Sequence, residues 1–335
     1  MRSAGRAPWQ YQVVPATITN PLPVALAHYE AELLDCLDDF DPVVVGEPGR
    51  ETVEGLLPWQ RILRAGALTM RRPRLPRSDV HVVAWPALGY YDALTWVPVA
   101  RRQPLVLVMH DIDPLNPHPG YSRAAHRAFG LAVRRSGMHV LCHTPDAADR
   151  LQELTGIRAD VVPHPTLAPR DRPAHTNGDK RVVRVLGQYK SARELEALRM
   201  MARDVRADEF ELEIWGRGWP AVPGWRVEPR FLDEASFTDL VSSSDVVVIP
   251  YRAYSQSGVM VRAAENAVPV VGVAHHQVEF LYGPGWPGVV ANGEGWLEAA
   301  RRAIGSTEQI IAKARRAHDE VRASWQEYLA RVTGR

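Results

Sequence analysis

Short, almost uninterrupted apolar runs alternate with helix-length segments along this chain, and the alternation occurs twice. Val80–Ala84, Leu105–His110, Val182–Leu186 and Val246–Pro250 are dominated by valine, leucine and isoleucine. A strand with one wet face alternates polar and apolar side chains, whereas a strand covered on both faces does not. Strands of the second kind separated by helices predict parallel sheets with crossover helices. Further strands are expected at Gln12–Ile18, Pro42–Gly46, His139–His143, Asp160–Pro163, Phe210–Trp215, Val227–Phe231 and Val270–Val273. Helices are expected near Pro21–Leu37, Ala87–Ala100, Ser122–Arg135, Pro145–Thr155, Ala192–Arg203, Glu234–Ser242 and Val259–Asn266, with a long one at Glu308–Leu329.

Pro165–Asp179 breaks the pattern with proline, charge and small polar residues, the composition of a linker. The expectation is an α/β protein of two Rossmann-like domains facing across a cleft: residues 1–168, residues 181–306, and a closing helix within 307–335 that can pack back toward the first domain. A chain of 335 residues is long enough for two such domains. Ligands of these sheets bind outside the carboxyl ends of the strands. The net charge of +1 provides no field for nucleic acid. Cys36 and Cys142 are too few for a disulfide framework, which fits a reducing cytoplasm. No run has the length of a membrane span, and Trp9, Gln10 and Gln12 interrupt any signal-peptide core. The basic stretch Arg71, Arg72, Arg74, Arg77, with Arg101 and Arg102, reads either as solvated loop or as peripheral contact with the inner membrane face.

Several polar loops follow strands and so point at the cleft. Ser255-Gln256-Ser257-Gly258 precedes a helix, whose unpaired N–H groups and partial positive charge favour a phosphate. Glu265 lies in the otherwise small, apolar face of that helix, where a carboxylate needs a polar partner. Gly187 ends the first strand of the second half and allows close backbone approach, and Lys190 and Arg193 follow it at a helix start, a pattern suited to a pyrophosphate. Gly216 and Gly218 keep another post-strand loop slim, either for a nucleotide or as a plain turn. In the first half His110, Asp111 and Asp113 end a buried strand, with His118 beyond them, and can orient or deprotonate a hydroxyl. His139, His143 and His164 have no metal-triad spacing, so no metal is expected. Thr19 and Asn20 either cap the first helix or touch substrate.

From about Met138 to Val273 these residues resemble the GT-B fold nucleotide-sugar glycosyltransferases, in particular the large retaining family of bacterial polysaccharide mannosyl- and glucosyltransferases. His143-Thr144 with Val161–Pro165 resembles the end of that family's first domain, and Leu186–Lys190 its phosphate loop, with Gln188 near a place often held by Arg. Ile214–Gly218 resembles its nucleotide-side turn, and Pro250–Val271, including Tyr251, its donor loop. The first Glu of the family's spaced pair is replaced by Ser255-Gln256-Ser257. The resemblance implies a metal-independent hexosyltransferase without cofactor, using a GDP- or UDP-linked sugar and a glycan or small-molecule acceptor. Gly187, Gln188, Lys190, Arg193, Gly216, Tyr251, Ser257 and Gly258 would hold the nucleotide diphosphate, and Glu265 the ribose. His110 would position the sugar in a retaining reaction; Asp111 or Asp113 would be the base in an inverting one. A non-catalytic partner subunit and a sugar-nucleotide 2-epimerase are the alternatives on the same fold.

Overall fold

The computed structural model describes residues 16–46, 72, 75, 77–113, 119–171, 180–206, 209–252, 254–291 and 295–335. Among these, eleven strands form two sheets, every pairing in them parallel. The first contains β1 (Ala16–Asn20), β2 (Val43–Gly46), β3 (Val80–Val83), β4 (Leu105–Val108), β5 (His139–Cys142) and β6 (Asp160–Val161), in the order β2-β1-β3-β4-β5-β6. The second contains β7 (Arg181–Leu186), β8 (Phe210–Trp215), β9 (Arg226–Glu228), β10 (Val246–Ile249) and β11 (Val270–Gly272), in the order β11-β10-β7-β8-β9. The apolar runs are buried as their composition requires: β4 and β10 are covered along their whole length. Chain order reverses between β1 and β3 in one sheet and between β7 and β10 in the other, which opens a crevice at each switch point.

Among the described residues the helices are α1 (Ala27–Cys36), α2 (Asp92–Ala100), α3 (Arg123–Ser136), α4 (Pro145–Thr155), α5 (Leu195–Asp204), α6 (Glu234–Ser242), α7 (Gly258–Glu265), α8 (His276–Tyr282), α9 (Trp296–Ile304) and α10 (Ile310–Thr333). Sequence periodicity identifies eight of them and misses α8 and α9. The first helix starts at Ala27 and not at Pro21, because Asn20 holds the preceding turn. Its Oδ1 accepts the Leu22 N–H at 2.9 Å, and its Nδ2 donates to Glu30 at 2.8 Å. The first strand starts at Ala16; residues 12–15 lie outside the described residues.

Helix α10 belongs to both halves. Ile310, Ala314 and Ala317 join the core of the second sheet, whereas Val321, Trp325, Tyr328 and Leu329 join the core under the first. The Trp325 indole donates to the Pro163 carbonyl at 3.1 Å, and Arg322 pairs with Asp38 at 2.8 Å.

One surface expectation changes. Arg72 is 3 % exposed, ion-paired with Asp92 at 2.8 Å and placed over the Trp96 ring, so it is a core cation and no part of a solvated or lipid-facing patch. Arg71, Arg74 and His118 lie outside the described residues. No described helix is long and apolar enough to cross a membrane.

Candidate active site

The carboxyl ends of the two sheets meet at a cavity of about 260 Å³. Trp85, His110 and α1 residues line it from one side, and Gln256, Gly258, Phe237 and Arg262 from the other. His110 follows β4 and is 2 % exposed. Its Nε2 lies 2.8 Å from the Ala84 carbonyl oxygen. That oxygen can only accept, so Nε2 carries the proton and Nδ1 is left to accept from the Gln256 side-chain amide of the opposite half. Burial holds the His110 pKa down at about 3, and the ring stacks on Trp85 at 4.9 Å. His110 is therefore a neutral group with both ring nitrogens engaged, which suits positioning more than proton abstraction.

Asp111 is the next residue. Burial raises its pKa, and the nearby charge of Lys190, from the second half, opposes that rise. The charge of Lys190 is thus felt at Asp111, although neither side chain is among those lining the cavity. Asp113 is exposed and bonded to Arg150 at 2.9 and 3.1 Å. His143 bonds the Val162 carbonyl and the Tyr29 hydroxyl, and His164 bonds the Pro165 carbonyl; both pack around Tyr29 as neutral rings. His139 opens β5, so it sits at the strand edge opposite the cleft.

In the second half the loops after β7 and β8 interlock. Gly216 has φ +146°, and a Cβ there would meet the Gly187 carbonyl oxygen at 2.2 Å. Close backbone packing thus requires that glycine before any ligand is considered. Trp219 donates to the same carbonyl at 2.8 Å. Arg193 is 5 % exposed and donates to the Leu186 carbonyl at 2.8 Å. Its guanidinium lies 4.9 Å from the Trp219 ring and 4.8 Å from the Tyr251 ring. Arg193 and Tyr251 therefore brace the loop after β7 from behind, while Gln188 is exposed and Lys190 half-buried.

Ser257 is the N-cap of α7, its hydroxyl accepting from Met260 N–H at 3.3 Å. Its own N–H donates to Gln277 at 2.7 Å, so the helix N-terminus presents Gly258 and Val259 N–H to an anion, not Ser257 N–H. Open space surrounds Gly258 where a Cβ would stand.

Glu265 ends α7 at 4 % exposure, and its surroundings differ from a ribose site. One oxygen accepts from His28 at 2.6 Å and the other from Leu167 N–H at 2.7 Å. It does not line the cleft cavity. The α7 side chain that does is Arg262, which sequence reading passed over because it stands in a run of small apolar residues. His28 and Glu32 also went unnoticed, although their i,i+4 spacing on α1 is the signal of a facing pair. Among the described residues His28, Glu32 and Glu265 have ligand-type atoms within 4.8 Å of one another, the spacing of a metal centre. His28 and the Leu167 amide already satisfy these carboxylates without an ion.

No family model matches the chain, and no curated protein matches it in sequence. Solved structures do match in fold. Anabaena Alr3699/HepE in complex with UDP-glucose superposes with a TM-score of 0.62 at 14% identity, covering 96% of this chain and 99% of that one. An α,α-trehalose-phosphate synthase (UDP-forming) from Burkholderia vietnamiensis gives 0.64 at 11% identity, covering 95% and 99%. TarM gives 0.55 at 10% identity, covering 76% of this chain and 55% of that one. At these identities the likeness establishes the architecture: two Rossmann-like domains in the GT-B arrangement.

Proposed function

We propose that this chain is a glycosyltransferase that moves a hexosyl group from a UDP-linked donor to an acceptor hydroxyl in the cleft. The observation that carries this reading is the convergence of His110 and Trp85, from one half, with the Gly258 helix terminus and Gln256, from the other, on a single cavity. The second half, roughly residues 181–306, is the donor domain, and the first, roughly 1–168, the acceptor domain. The full-length overlap with a UDP-glucose-bound protein supports a nucleotide-sugar donor and favours uridine over guanosine.

Lys190 and the Gly258 and Val259 N–H groups would hold the diphosphate. As the glycosidic bond breaks, negative charge grows on that leaving group. A fixed cation and a helix N-terminus stabilise it most effectively where water is excluded. In other transferase designs a divalent cation supplies this charge; here Lys190 and α7 would. His110, with its tautomer fixed, positions the reacting sugar. Asp111 is the carboxylate of that strand end left for proton transfer, since Asp113 is paired with Arg150 in solvent. Closure of the two halves excludes water and limits hydrolysis. The acceptor is a glycan or a small hydroxylated molecule.

The test is binding followed by turnover. Calorimetry with UDP, GDP and ADP should give binding for UDP, and incubation of UDP-glucose with and without a mixed panel of glycosides should release UDP faster when acceptor is present. Absence of binding to every nucleoside diphosphate refutes the proposal, and conversion of the donor sugar without acceptor identifies an epimerase instead.

A further inference from the structure

Glu234 and Arg262 form an ion pair on the wall of the cleft cavity. Arg262 Nη2 donates to Glu234 Oε2 at 2.6 Å, and Nη1 donates to Thr238 Oγ1 at 2.6 Å. The guanidinium also lies 5.4 Å from the Phe237 ring centroid. The two partners differ sharply in exposure: the Arg262 side chain is 6% accessible and that of Glu234 is 49%. A buried, doubly anchored guanidinium thus fixes the direction of a half-exposed carboxylate. Arg262 Nε has no hydrogen-bond partner, although it is buried. The nearest carboxylate oxygen, on Glu265, is 4.0 Å away, outside hydrogen-bond range. A buried donor left unpaired costs free energy, so this N–H is a site for a ligand oxygen.

Position along α7 narrows the ligand. Gly258 presents the phosphate-binding terminus, and Arg262 is four residues on, about 6 Å along the helix axis. In a nucleoside diphosphate the group adjoining the phosphates is the ribose, whose two free hydroxyls are donors. An ionised carboxylate offers acceptors alone, and its two oxygens match a vicinal diol. Two acidic residues line the cavity, Glu32 and Glu234. Glu32 is 1% exposed and bonded to His28 at 3.2 Å, which leaves Glu234 as the accessible one. Glu265, the residue assigned to the ribose on sequence grounds, has both oxygens bonded elsewhere.

We infer that Glu234, oriented by Arg262, accepts the ribose hydroxyls of the donor nucleotide and takes the place assigned to Glu265. This inference rests on the nucleotide-sugar reading above.

The experiment is calorimetry of UDP and 2′-deoxy-UDP with the full chain and with Glu234→Gln, which keeps an oxygen for Arg262 and removes the charge, its folded state checked by melting temperature. The unmodified protein should bind UDP about tenfold more tightly than 2′-deoxy-UDP, the size of one lost charge-assisted bond. In Glu234→Gln the UDP affinity should fall toward that of the deoxynucleotide, while 2′-deoxy-UDP binds as before, so the ratio approaches one. A ratio unchanged by Glu234→Gln, or equal affinities in the unmodified protein, overturns the ribose assignment and leaves the transferase reading standing. If the guanine nucleotide is the one held, GDP and 2′-deoxy-GDP serve as the pair. Failure of the unmodified protein to bind any nucleoside diphosphate overturns both.

Discussion

His28 Nε2 lies 2.6 Å from Glu265 Oε2, and this bond joins a helix of the first sheet to a helix of the second. Glu32 Oε1 stands 3.2 Å from the same ring nitrogen. The contact spans 237 positions of sequence, so it forms only when the two halves are docked. Backbone N–H bonds from Leu167 and Arg170 to Glu265 tie the segment between the sheets to the same point.

The clamp makes stability depend on pH. Burial by itself would lower the His28 pKa, but the bonds to Glu265 and Glu32 outweigh it and raise the value from 6.5 to about 9. The proton on His28 therefore stabilises the folded chain fully below pH 6.5 and loses that contribution as pH climbs through about 9. For Glu265, burial acts upward and the His28 bond downward, with a net lowering, so its contribution is present above 4.5 and fades in acid. His28→Ala should cost about 3 kcal/mol near pH 6, because it leaves the buried Glu265 carboxylate without its cation, next to Glu32, whose own pKa burial and Glu265 push well up. Urea titrations of both proteins should show that gap narrowing between pH 6.5 and about 9, and a gap constant from pH 6 to 10 would count against the clamp.

His110 should remain neutral with its proton on Nε2 throughout the range in which free histidine titrates, since burial holds its pKa at about 3. Nitrogen-15 spectra of the imidazole report this directly. Gln256→Ala should shift the Nδ1 resonance by removing its donor while Nε2 stays bound to Ala84. A protonated ring at pH 6 would contradict the geometry.

Lys190→Ala should lower kcat by about a hundredfold, the scale of losing one preorganised donor to a developing anion, with the melting temperature nearly unchanged for a half-buried loop residue. Asp111→Asn separates outcomes at the same site: a similar loss points to a proton-accepting carboxylate, and a loss under tenfold means that Asp111 is not the base. Single-turnover kinetics with UDP-glucose make both measurements.

Trp325 is fully buried under the first sheet although it stands near the end of the chain. Trp325→Ala should destabilise the protein by about 3–5 kcal/mol through lost transfer energy and the cavity left behind. It should also loosen the first half more than the second, as hydrogen exchange of β1 and β3 against β7 and β10 would reveal. Equal protection in both sheets would mean that α10 does not anchor the first.

Much of the fold was legible because covered parallel strands have a local signature: Val246–Ile249 or Leu105–Val108 cannot be placed at a wet surface without great cost. Helix α8 escaped because seven residues barely complete two turns. The site was legible as residue types and less so as roles. Gly216 was legible as a loop glycine, for a nucleotide or a plain turn, yet it is required by the Gly187 carbonyl. Arg193 was recognisable as a cation at a helix start, yet it braces two aromatic rings. Glu265 was recognisable as a carboxylate needing a partner, and the partner, His28, was invisible at a distance of 237 residues.

By itself, then, the sequence determined the two buried parallel sheets, the break between them and the loops that face the cleft, because periodicity and apolar runs act through neighbours along the chain. Tertiary structure decided which polar group meets which: His28 with Glu265, Gln256 with His110, Arg262 with Glu234. Hydrogen bonds and ion pairs act over a few ångströms in space and carry no trace of that distance in sequence, so the chemistry of this cleft became defined only when the two sheets met.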